Sequence, residues 1–228
     1  MKKRTAAVVG ATGLVGQELI KELCMRKEYE EIIVITRRPI KQEHPKLTVK
    51  IIDFNYLESA HLGFVDDVYC CLGTTKKKAK SKEAFRQVDL DYPLQLALIA
   101  KRNNVQQFLV ISALGADSSS VFLYNRIKGL MEEHLKEIDL PRLQIFRPSL
   151  LLGDRKEFRL GETIGTKVMG LLGWVLIGRL SSYRAVRAEQ VALAMVEKAL
   201  TPSNDKVDIY NSAVIENTAR TNYAMSNN

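Results

Sequence analysis

Short, uninterrupted apolar runs alternate along this chain with longer stretches in which apolar residues recur every three or four positions. Ala6 to Val9 is the first such run and stops at Gly10. From Gly13 to Arg26, the placing of Leu14, Leu19, Ile20 and Leu23 lines one face of a helix. Runs at Ile32–Ile35, Leu47–Ile52, Asp67–Leu72, Phe108–Ile111 and Leu143–Phe146 read as further strands, the last stopped by Arg147-Pro148. Helical patterns fill Glu83–Asn103 and Val121–Ile138. Strands without polar alternation need cover on both faces, and helices between parallel strands supply it. The pattern therefore predicts an α/β fold: a doubly wound parallel sheet of the Rossmann kind, with helices on both faces.

Beyond Ser149 the pattern loosens. Gly153, Gly161, Gly165, Gly170, Gly173 and Gly178 punctuate an apolar stretch ahead of a helix at Arg187–Leu200, a strand at Val207–Tyr210 and a polar tail expected to be disordered. No linker divides the chain, so residues 1–228 read as one domain, with about 149–186 and 201–228 forming a substrate-side lid and tail.

Composition narrows the classes. With 228 residues, 46% apolar and 26% charged, the chain has the make-up of a folded domain, not of a disordered one. The formal charge of +8 favours anionic partners, or simply reflects scattered solubilising lysines. No helix-turn-helix, zinc or aromatic–basic module accompanies the charge, so nucleic acid is not the expected partner. Three cysteines, with Cys70 and Cys71 adjacent on one strand and facing opposite ways, suit packing in a reducing cytoplasm. The amino terminus runs straight into a strand and does not read as a secretory signal. The longest apolar run, Val168–Gly178, falls well short of the roughly 20 residues a membrane span needs. His44, His61 and His134 are too scattered to suggest a metal site.

Between the first strand and the first helix lies Gly10-Ala11-Thr12-Gly13-Leu14-Val15-Gly16. Glycines there permit a sharp turn and close approach of backbone to a pyrophosphate, and the helix start offers free N–H donors. The second strand of an NAD site ordinarily ends in a carboxylate for the ribose 2′-hydroxyl. This one ends Ile35-Thr36-Arg37-Arg38, and guanidinium groups suit a 2′-phosphate. NADP(H) is the expected cofactor. Asp53, closing the third strand, is placed either to accept from the adenine amino group or to make an ordinary turn. Leu72 and Gly73 should pass the nicotinamide end, with the Lys76–Lys82 run at the rim or simply solvated.

Tyr124 and Lys128 stand at i and i+4 on one helix face, and Ser112 ends the preceding strand at the sheet edge where ligands sit. Carbonyl reduction places negative charge on oxygen and needs a proton donor within reach. A tyrosine beside an ammonium answers that need, with Ser112 holding the substrate oxygen.

At these residues the chain resembles the atypical short-chain dehydrogenases, in their Tat-interacting-protein-like branch. The stretches that carry the likeness are Ile35–Arg38, Cys70–Thr75, Val88–Tyr92, Gly115–Asp117, Phe122–Tyr124, Phe146–Pro148 and Asp154–Glu162. The resemblance implies Tyr124 as proton donor or acceptor and Lys128 as its partner. It also implies cofactor contacts from Thr12 to Val15, Arg37, Arg38, Leu72 and Gly73, with Leu151 and Arg159 added. Two residues depart from the wider pattern: Asp89 stands where many extended members carry Asn, and Ala113 where many carry a second Ser. The expected function is a cytoplasmic NADP(H)-dependent oxidoreductase acting on a small-molecule carbonyl/alcohol pair. The alternative is a non-catalytic NADP(H)-binding sensor or scaffold. Substrate identity and oligomeric state are not encoded in any motif.

Overall fold

A computed structural model describes residues 3–152 and 185–226. Arg159, Val168–Gly178 and most of the expected 149–186 lid lie outside them. Seven strands form one sheet: β1 (Arg4–Val9), β2 (Tyr29–Thr36), β3 (Leu47–Ile51), β4 (Asp67–Cys70), β5 (Gln107–Ile111), β6 (Leu143–Arg147) and, after a small separate pair, β9 (Val207–Asn211). Their order is β3-β2-β1-β4-β5-β6-β9, and every pairing is parallel. The small pair joins β7 (Leu151–Leu152) to β8 (Val186–Arg187), with Leu151 opposite Val186.

The sheet separates two cores because successive strand residues face opposite ways. Ala7, Val9, Val68, Cys70, Phe108 and Val110 pack on one side against Leu96 and Ile99 of a helix at Tyr92–Arg102 and Met131 and Leu135 of a helix at Leu123–Glu137. Ala6, Val8, Tyr69 and Leu109 pack on the other side against Leu19 and Leu23 of α1 (Leu14–Met25) and Val191 and Met195 of a helix at Ala188–Leu200. Cys70 and Cys71 fall on opposite sides, as adjacent strand positions should. This is the doubly wound Rossmann fold that the apolar runs predict.

Two elements differ from the sequence reading. The tail expected to be disordered is a helix over Ser212–Ser226, docked through Ile215 and Ala219, which are both fully buried. The stretch read as one helix from Glu83 to Asn103 is interrupted. An α-turn at Lys82–Arg86 leads into a wider π-turn at Gln87–Asp91 before Tyr92–Arg102. Pro93 explains the widening: it has no N–H to give Asp89, and its ring would crowd that carbonyl. Tyr92 N–H instead reaches back five residues to Gln87 O.

A polar cluster sits at the amino-terminal end of the strands. Asp67, fully buried, accepts from Arg4 Nε at 2.7 Å, Tyr29 OH at 2.6 Å and Gln107 Nε2 at 2.7 Å, and pairs with Arg4 Nη2 as well. Tyr29 and Tyr69 share a 2.7 Å contact between their hydroxyls, and Gln144 donates to Gln107 at 2.7 Å. Burial, reinforced by the neighbouring Asp67 charge, pushes the Tyr29 phenol well up.

Candidate active site

Parallel sheets place ligands at the carboxyl ends of their strands, beside the point where strand order reverses. Here that point lies between β1 and β4. Gly10 leaves β1 with φ +91°, and a Cβ on it would come within 2.5 Å of the Cys71 backbone carbonyl. A Cβ on Gly16 would stand 2.3 Å from Gly10 O. Gly13 N–H bonds Gly10 O at 3.0 Å, which closes the turn. No side chain caps the start of α1 at Gly13, so its first N–H groups and its positive dipole end face the loop around Thr12, Leu14 and Val15. This is a fitting cradle for a dinucleotide pyrophosphate.

Arg37 and Arg38 are both exposed at the end of β2. Arg37 lies over the Phe54 ring, 5.6 Å from its centroid, which steadies its otherwise mobile side chain. Thr36 is buried and its hydroxyl donates to Arg38 O at 2.9 Å, fixing the backbone between the two guanidinium groups. Asp53 Oδ1 accepts from Asn55 N and Asn55 Nδ2, each at 3.0 Å, and caps a short 3₁₀ turn at Phe54–Tyr56.

The β4 exit links the loop to a second group of residues. Leu72 is buried and Gly73 follows it. A Cβ on Gly73 would sit 3.4 Å from Asp89 Oδ1 and 4.0 Å from Lys128 Nζ. Lys128, on the Leu123–Glu137 helix, places Nζ 3.0 Å from Asp89 Oδ1 and 3.2 Å from Ile111 O. Asp89 rides the π-turn, and its Oδ2 accepts Thr74 N–H at 2.8 Å. Both members of the pair are nearly inaccessible, Lys128 at 3% and Asp89 at 1%. Burial alone would push the Lys128 ammonium down, yet the facing Asp89 carboxylate and the nearby Tyr124 phenol carry it above the ordinary lysine range. Tyr124 is half-buried in the first turn of the same helix, its ring 6.1 Å from that of Phe85. Gly129 lets this helix press on the preceding loop: a Cβ there would meet Ser118 N at 2.1 Å.

The structure thus brings Gly10, Gly13, Gly16, Leu72, Gly73, Tyr124 and Lys128 to one edge of the sheet. Ser112 directly follows β5 there, and its hydroxyl donates to Glu132, which also binds Arg147 Nε at 2.9 Å. Ser112 is only 2% exposed. Leu151 is half-buried in the small β7–β8 pair. Asp89 and Glu132 are the partners that sequence reasoning did not assign. For Asp89 the signals were a carboxylate between Val88 and Leu90 and its standing where many extended members carry Asn.

Fold and loop together define an NAD(P)-binding Rossmann protein. A profile described as NAD(P)H-binding matches residues 10–167, and rat (Rattus norvegicus) Protein HTATIP2 is 33% identical over 222 residues, 94% of this chain and 89% of that one. The chain belongs to the NAD(P)H-binding family and, within it, to the HTATIP2-like branch of the atypical short-chain dehydrogenases. Protein FMP52, mitochondrial, of Candida glabrata is 32% identical across 88% of this chain and 87% of its own length. The oxidoreductase ylbE from Lactococcus lactis shares the fold, with a TM-score of 0.67 at 18% identity, covering 96% of this chain and 97% of that one. So does a Bacillus cereus UDP-glucuronic acid 4-epimerase in complex with NAD, at TM-score 0.68 and 15% identity, covering 90% and 76%. Among the described residues, no helix is long and apolar enough to cross a membrane.

Proposed function

We propose that the protein is an NADP(H)-dependent oxidoreductase that interconverts a small-molecule carbonyl and alcohol, with Tyr124 as the proton donor or acceptor. One observation carries this reading. The three residues from Cys71 to Gly73 touch the glycine loop at one end and the Asp89–Lys128 pair at the other. The buried ammonium therefore stands beside the dinucleotide cradle, with Tyr124 one turn before it on the same helix.

A bound nicotinamide supplies or takes up the hydride; the chain does the rest. Gly10, Gly13 and Gly16 bring backbone and helix start up to the pyrophosphate. Arg37 and Arg38 meet the 2′-phosphate, a role that two exposed guanidinium groups perform better than the carboxylate an NAD site uses. Leu72 and Gly73 border the nicotinamide end. Tyr124 gives its proton to the substrate oxygen as charge develops there, and Lys128 steadies the resulting phenolate. Ser112, expected to hold the substrate oxygen, also donates to Glu132, which Arg147 binds in turn. Leu151 and Arg159 remain candidate cofactor contacts from the resemblance.

Ser112 is also the observation that favours the rival reading, a non-catalytic NADP(H) sensor, because its hydroxyl is committed to a carboxylate. Fluorescence titration with NADPH and NADH, then turnover of an aldehyde and ketone panel by wild type and Tyr124→Phe, separates the two. The enzyme reading expects tighter NADPH binding and turnover that falls with Tyr124→Phe. Comparable NADH affinity removes the arginine argument, and NADPH binding without any turnover favours the sensor. The three thiols are free and fit a reducing compartment such as the cytoplasm. The mitochondrial naming of the fungal relatives makes subcellular fractionation the deciding measurement.

A further inference from the structure

Asp89 gives the site a charge that a tyrosine–lysine pair alone lacks. It is the only charged residue on the π-turn that faces Lys128, and Thr74 N–H and the Lys128 ammonium fix its two oxygens. The titratable groups around the ammonium are Asp89 on the π-turn, Tyr124 on its own helix, and Cys70 from β4, whose thiol burial pushes up to about 11. The Cys70 thiol is thus neutral near neutral pH. Lys128 and Asp89 together carry no net charge, so the carboxylate offsets part of the pull that the ammonium exerts on the Tyr124 proton.

We infer that Asp89 is a positioning residue that sets the pH range over which the Tyr124–Lys128 couple keeps its proton, and holds that couple as a proton donor. The sign does not depend on which of the two gives up the proton. With Asp89 ionised, losing one proton from the couple leaves a net negative charge in a buried site. Without that carboxylate, the same loss takes the couple from net positive to neutral. Removal of the Asp89 charge therefore releases the proton at lower pH. A couple that stays protonated is ready to deliver a proton to a carbonyl oxygen, so reduction keeps its rate to higher pH. This last step rests on the oxidoreductase reading; the charge assignment does not.

The deciding variant is Asp89→Asn, which keeps the shape and removes the charge. Urea unfolding of full-length protein is measured from pH 7 to pH 10. In the variant, the buried Lys128 loses the carboxylate that offsets its burial and gives up its proton below the ordinary lysine value near 10.4, so stability rises with pH. In the wild type the raised Lys128 keeps its contribution through this range and gives it up only above about pH 10.4. The ratio of the two unfolding constants is expected to shrink by about tenfold or more across that range. A ratio independent of pH overturns the assignment. If Asp89→Asn does not fold, Asp89→Asn/Lys128→Met leaves no lone buried charge. It should lose stability less steeply than wild type above about pH 10.4; an equal slope overturns the assignment. In the activity arm, NADPH-dependent reduction of the aldehyde panel by Asp89→Asn should fall about tenfold at pH 9 relative to pH 7, compared with wild type. An unmoved alkaline limb in an active variant overturns the donor role. A wild type that reduces none of the panel defeats the oxidoreductase reading, while the unfolding arm still decides what Asp89 does.

Discussion

Asp67 and Asp89 are both buried carboxylates bracketing the same strand, and they do opposite work. Asp67 opens β4 and is closed in by Arg4, Tyr29 and Gln107, three partners from three neighbouring strands. Asp89 lies over the loop that leaves β4 and has one backbone N–H and one ammonium. The first ties strands together at the end of the sheet opposite the one where parallel sheets place ligands. The second faces the end where glycines leave room for a ligand. A buried charge becomes structural or functional according to which end of the strands it occupies and how completely its neighbours satisfy it.

Four changes would break or sharpen that contrast. Asp67→Ala strips the amino-end cluster of its hub and leaves the Arg4 guanidinium partly buried without its partner. Urea unfolding should show a loss of about 3–5 kcal/mol, while the folded fraction binds NADPH as wild type does. A smaller stability loss accompanied by weakened NADPH binding would erase the distinction between the two ends. Gly16→Ala acts at the other end, since its methyl group must displace Gly10 O. Misplacing the loop by an ångström should weaken NADPH binding about 100-fold, read by fluorescence titration, with little change in the spectroscopic signature of the core. Arg37→Glu should cost about tenfold or more in NADPH affinity and leave NADH affinity nearly unchanged; equal losses for both would remove Arg37 from the 2′-phosphate. The smallest effect is Tyr29→Phe, about 1 kcal/mol at neutral pH. The Tyr29 phenol is raised in the folded state, so its contribution is present below the ordinary value near 10 and fades as pH rises past it. The gap between wild type and Tyr29→Phe should therefore narrow in alkaline urea titrations, and a constant gap would contradict the buried hydroxyl's role.

The sheet was legible because a strand buried on both faces must be apolar, and the runs Ala6–Val9, Ile32–Ile35 and Phe108–Ile111 within β1, β2 and β5 obey that rule. The Gly10–Gly16 loop was legible because its spacing stands directly after the first strand. The Asp89–Lys128 pair was not, since its members lie 39 positions apart and no short-range periodicity couples them. The π-turn was hidden for a related reason: apolar residues on either side of it keep helical spacing, and only Pro93 marked the change. The Ser212–Ser226 helix escaped notice because two fully buried residues, Ile215 and Ala219, are a thin stripe in a mostly polar stretch. Ser112 was placed at the right strand end, but the direction of its hydroxyl depended on Glu132, twenty residues downstream on another element.

Gly129 works like the key of a keyed shaft. Its bare Cα fits against the Ser118 amide with no room for another atom. Were the helix to slide by one residue along its axis, Lys128 or Leu130 would have to occupy that notch, and neither fits. The contact therefore indexes the helix against the loop after β5 and fixes how far Tyr124 projects over the sheet edge. The reach of the phenol is set five residues away from it, by the one position on that helix with nothing to put in the way.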